Sequence, residues 1–161
     1  MTDQTMTAPP DHAYLAEIEA ERHGWYELAD LVRGLTPAEC LVPGYYHDPT
    51  WTVRDLVAHL GTWMAEASTQ FERLQAGTYE GHDIDVDARN AALLDGMVGQ
   101  PWEVAWVQAQ AGRTIMLLTW FELRAPTDEA AWWIRKSAAG HVAEHLPRLR
   151  DWSAELIARR T

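Results

Sequence analysis

The sequence predicts an all-α chain built as a four-helix bundle, and three observations predict it. Apolar residues recur at helical spacing in four long stretches. Those stretches are bounded by cap, proline and glycine signals. No run alternates apolar and polar residues as a half-buried strand would, and no internal repeat is present. At 161 residues the chain is long enough for one domain that buries roughly two thirds of its unfolded surface.

The first ten residues, MTDQTMTAPP, are polar, contain two prolines and are expected to form a disordered tail. The single bundle domain is expected over 11–161. Helix one is predicted from Asp11, with Leu15, Ile18, Trp25, Leu28, Val32 and Leu35 on one stripe and Gly34 and Pro37 ending it. The next segment, TPAECLVPGYYHDPTW, holds three prolines and reads as a loop. Helix two opens at Thr52, with Asp55 completing a capping box, and runs to Gly77. Its stripe is Val53, Leu56, Leu60, Trp63, Ala67, Phe71 and Leu74. A long crossover follows, with a short helix over 85–98. Pro101 starts helix three, which runs to about Leu123. After a further proline-and-cap signal, helix four spans about 128–159, where Gly140 and Pro147 predict an interruption and a kink.

Composition excludes several functions. Twenty-four acidic residues against 13 basic give a formal charge of −11, a field that repels nucleic acid and anionic membranes. The single cysteine, Cys40, can form neither an intramolecular disulfide nor a cysteine-based zinc site. There is no signal-peptide pattern and no apolar run of the ~20 residues that span a bilayer, so a cytoplasmic location is expected. Nine tryptophans hint at an aromatic-lined cavity, although core packing accounts for such residues too.

Seven histidines are present, of which His12 and His23 sit among charged residues and read as solvated, while His47 and His82 fall in loops. His141 and His145 differ, because an i, i+4 pair projects from one helix face and offers two imidazoles to one ion. The stretch HVAEH also fits an inverted zinc peptidase pattern, but only 16 residues follow it, too few for that class's downstream acidic ligand. His59, between Leu56 and Trp63, faces the interior and needs a polar partner. A carbonyl or carboxylate would serve; so would an ion shared with His141 and His145. Three neutral imidazoles leave coordination positions for water or substrate, the arrangement of a catalytic site. Glu144 can orient a ligand, relay a proton or simply be solvated.

On helix three, Trp106, Ala109, Arg113, Met116 and Trp120 share a stripe. Arg113 is expected either to hold a substrate carboxylate, as its planar fork suits, or to form a structural ion pair or reach the surface.

WTVRDLVAHLGTW at 51–63 and WWIRKSAAGHVAEHLPRLRDW at 132–152 resemble the helix-two and last-helix signatures of the DinB/YfiT-like superfamily. The resemblance spans nearly the whole chain and implies a four-helix bundle with a long crossover between helices two and three. It implies a divalent metal, zinc or nickel, held by His59, His141 and His145. The nearest branch is the metal-binding domain of mycothiol-dependent maleylpyruvate isomerases, which has a glutamate where this chain has His141. That isomerase also carries a C-terminal domain to which the 161 residues do not correspond. The implied activity is therefore a metal-dependent thiol S-transferase or isomerase using mycothiol or a similar thiol. Metal-dependent hydrolysis and a non-catalytic binding or self-resistance bundle stand as alternatives. The expected partner is a small-molecule substrate, with Trp63, Trp106 and Arg113 about it and Glu144 as the catalytic group; no nucleic acid or membrane is expected, and a homodimer is open to it. Arginine supplies 12 of the 13 basic residues, which suits an actinobacterial genome.

Overall fold

The computed structural model describes residues 14–160, and within them the chain is almost wholly helical. The expected tail, the helix start at Asp11 and His12 lie outside the described residues. In order, the elements are α1 (Leu15–Arg33), β1 (Tyr46–His47), β2 (Thr50–Trp51), α2 (Val53–Ala76), α3 (Val86–Met97), α4 (Trp102–Glu122), α5 (Asp128–Ile134) and α6 (Gly140–Ala158). Among the described residues, no helix is long and apolar enough to cross a membrane.

Local chemistry sets the helix ends. Thr52 Oγ1 accepts from the Asp55 N–H at 3.2 Å and Asp55 Oδ2 accepts from the Thr52 N–H at 2.8 Å, the reciprocal capping box that starts α2. Gly77, at φ 71°, ends it in the left-handed conformation that suits glycine. Asp85 and Thr127 cap α3 and α5 one way, their side chains accepting from the N–H groups of Ala88 and Ala130. Pro101 stands just before α4, where a missing N–H costs nothing.

α2 is the centre of the molecule, and its buried residues include His59 among Leu56, Leu60 and Trp63. It packs along α4, and α1 packs along α6. The α2–α4 approach is close because it is built from small residues. A Cβ at Gly61 would overlap Ala109, and one at Gly112 would overlap the Gly61 carbonyl. One continuous core of buried apolar side chains links these helices, with Trp25, Leu28, Phe71, Met116, Trp133 and Leu149 in it.

Two features differ from the sequence-based expectations. The segment expected as plain loop contains a short hairpin, Tyr46 paired with Trp51 and His47 with Thr50. Strands of two residues cannot show alternation, which is why the pattern misses them. In the last helical stretch the break in the regular hydrogen-bond pattern falls before Gly140 rather than at Pro147. It is a π turn at Arg135–Ala139, closed by the Gly140 N–H donating to the Arg135 carbonyl. A Cβ on residue 140 would lie 2.7 Å from that carbonyl, so the turn requires glycine there. Pro147 lies within α6 on an exposed position, and the helix continues past it to Ala158.

Candidate metal centre

The helical phase of α2 turns His59 inward, and the phase of α6, set by the π turn just before it, turns His141 and His145 toward the same point. His59 is buried and the other two rings are partly buried. His59 Nε2 and His141 Nε2 are 2.9 Å apart. One nitrogen from each of the three rings lies within 4.8 Å of the others, and among the described residues these are the one set of three metal-ligating side chains so placed. Nitrogens bound to one tetrahedral zinc at ~2.0–2.1 Å stand about 3.3 Å apart, so the three rings need shift little to share an ion.

The electrostatics suit ligands. Burial first, and then the charge that His145 would carry, holds His59 down at about 4. Burial, then the neighbouring His59 and His145 and then Lys136, holds His141 at about 3; the Ser137 carbonyl opposes this only in part. Burial also lowers His145, with Glu144 opposing. All three rings are therefore neutral near pH 7 and keep the lone pairs that coordination uses.

The hairpin supplies the outer contacts. Tyr45 donates its one hydroxyl proton to the His145 carbonyl at 3.2 Å, so toward His145 Nδ1, 3.3 Å away, its oxygen can only accept. Tyr46 Oη lies 3.0 Å from the same nitrogen. This favours the tautomer with hydrogen on Nδ1 and leaves Nε2 for the cluster, the usual way a second contact orients a histidine ligand. Trp51 lies against the cluster, its ring centroid 5.0 Å from that of His59, and its Nε1 is buried without a hydrogen-bond partner among the described residues.

A cavity of about 240 Å³ opens beside His59 and His141. Its walls are aromatic, from Trp63, Trp132 and Trp133, and its polar groups are Asn90, Lys136 and Glu144. Trp63 is fixed by donating from Nε1 to Asn90 Oδ1 at 2.9 Å. His82 stacks on Trp132 at 4.2 Å and also lines the cavity, so this loop histidine does reach the site.

Of the residues singled out from the sequence, His59, His141, His145, Trp63 and Glu144 come together. Trp106 and Arg113 do not line this cavity. Trp106 stacks between Trp25 and Trp102, each 5.8 Å away. Arg113 forms a two-pronged ion pair with Glu21, at 2.5 and 2.9 Å, over the Trp25 ring. Its expected role as a carboxylate holder gives way to the structural ion pair. Helical spacing identified the face but not the neighbour it meets. Lys136, the only lysine of the chain, stands at the cavity instead. Cys40 is buried, its thiol pushed up to about 12 by burial and by Glu39 and Glu103, and offers no nucleophile.

No family model, no curated protein and no solved structure matches this chain.

Proposed function

We propose that this chain is a metal-dependent small-molecule enzyme of the DinB-like four-helix bundle type, most closely a thiol S-transferase or isomerase. The observation that carries the reading is the convergence of three neutral imidazoles from two different helices, two of which, His59 and His141, line an aromatic cavity. Structural zinc sites are closed by four protein ligands, whereas three imidazoles leave a position open toward the cavity.

His59, His141 and His145 would hold one zinc or nickel ion. When bound, such an ion makes a coordinated thiol or water acidic enough to act as a nucleophile near neutral pH. The protein's own groups do the rest. Tyr45 and Tyr46 keep His145 in register through Nδ1. Trp63, Trp132 and Trp133 exclude water and present flat apolar surface to an electrophilic substrate. The Glu144 carboxylate, on the cavity wall and exposed, accepts the thiol proton and hands it to solvent. The Lys136 ammonium offsets negative charge that develops on the substrate.

A panel of electrophiles, maleylpyruvate among them, tested with mycothiol, glutathione and no thiol, distinguishes the possibilities in metal-loaded protein and in His59→Ala. Turnover that needs both a thiol and His59 is expected. Turnover that needs His59 but no thiol would make the protein a hydrolase. Tight binding without turnover, unchanged in the variant, would leave a non-catalytic binding bundle.

A further inference from the structure

α4 is apolar on both faces, and only one of them is covered. Ala105, Ala109, Gly112 and Met116 are buried. On the other side Val104, Val107, Ile115, Leu118 and Phe121 remain 40, 64, 49, 58 and 67% exposed. Together they leave on the order of 500 Å² of apolar side chain in water, at the upper end of the ~300–600 Å² that the largest patch on a monomer reaches. A standard interface takes about 800 Å² from each partner, so this seam supplies more than half of one.

The spacing says what fits it. Val104, Val107, Ala111, Thr114, Leu118 and Phe121 follow one another at alternating intervals of three and four residues, the a/d pattern of a coiled-coil seam. The seam is also self-complementary. When two copies of α4 lie antiparallel about an axis through the middle of the helix, Val104 meets Phe121 of the second copy, Val107 meets its Leu118, and Ala111 meets its Thr114. The small pair falls at the centre, where two helices that cross must come closest.

Charge agrees. In a chain of net charge −11, the six seam positions carry no ionised side chain, so two copies can meet there with no like charges facing each other across the seam. The same antiparallel register brings exposed Glu103, in the first turn of α4, toward Arg124 of the second copy, just beyond the end of its helix. Among the described residues Arg124 has no ion-pair partner of its own.

We infer that the exposed face of α4 is the interface of a two-fold homodimer, with the two α4 helices antiparallel across it. The full chain in sedimentation equilibrium is expected at twice the 18.3 kDa of one chain. Leu118→Glu, at an exposed position that the fold does not need, is expected to raise the dimer dissociation constant about 100-fold or more, with unchanged helical circular dichroism. Glu103→Arg is expected to weaken the dimer about tenfold or less, and adding Arg124→Glu to restore it. A full chain that is monomeric at high micromolar concentration overturns the inference, as does a dimer that Leu118→Glu leaves intact. A chain that dimerises only after removal of residues 1–13 also overturns it, because that segment then covers the face.

Discussion

Two polar clusters are built into the interior, and they are made differently. Glu21 and Arg113, from α1 and α4, close on each other: both prongs of the guanidinium meet the carboxylate, Glu21 is 1% exposed, and Trp25 covers the pair. His59, His141 and His145, from α2 and α6, are three groups of one kind that would repel one another if charged, and burial keeps them neutral. The first cluster is satisfied by the protein and needs nothing more. The second brings three imidazole nitrogens to one point, with His59 Nε2 and His141 Nε2 2.9 Å apart, and a cation shared there would satisfy all three. A buried ion pair thus accounts for itself, and a buried set of like ligands is a place that could hold a metal ion.

That contrast can be broken from either side. The largest effect on stability is expected from Glu21→Ala, which strands the Arg113 charge and should cost about 3–5 kcal/mol in urea unfolding while leaving metal content unchanged. A loss of bound metal with no loss of stability would reverse the roles assigned to the two clusters. Gly140→Ala should cost about 1–3 kcal/mol, because the new Cβ meets the Arg135 carbonyl and the π turn must move. It should also weaken metal binding, since His141 follows directly; thermal unfolding and a competitive chelator titration read the two effects.

Tyr46→Phe should leave the fold intact and lower metal affinity roughly 10- to 100-fold, through the freed Nδ1 of His145. An unchanged affinity would mean that Tyr45 alone sets the ring.

A further effect is on pH. In metal-free protein the folded values of His59 and His141, about 4 and 3, lie below the ordinary 6.5, so the unfolded chain binds more protons across that interval. The stability tied to these neutral rings is full above pH ~6.5 and is lost as pH falls toward the folded values. Melting temperatures taken from pH 7 to 4.5 should fall less steeply in His59→Gln/His141→Gln than in the parent chain. Equal slopes would contradict the electrostatic account of the cluster.

What the sequence disclosed follows the range of the forces involved. The capping box at Thr52 and Asp55, the proline before α4 and the inward phase of His59 are local, and each is visible as residue types at fixed spacing. The i, i+4 relation of His141 and His145 is local too. That Tyr45 and Tyr46 stand on His145 is not, because about a hundred residues separate them and a two-residue strand has no periodicity. The π turn left one trace, Gly140, which also reads as an ordinary helix break. Trp106 and Arg113 show the limit most clearly: their spacing on α4 fixed a shared face, while Glu21 and Trp25 decided what that face meets. Lys136 went unnoticed because nothing in its neighbours' spacing tells a cavity wall from a solvated turn.

The claim on which the account depends is that the three histidines share one divalent ion. Metal-free protein is to be titrated with zinc and with nickel, the bound metal counted by elemental analysis and its ligands read by X-ray absorption, in the parent chain and in His59→Ala. One ion per chain, with nitrogen ligands at about 2.0–2.2 Å and no sulfur, retained by the parent and lost by the variant, is the predicted result. A parent chain that takes up neither metal in stoichiometric amount, or a His59→Ala variant that holds it as tightly, would contradict it.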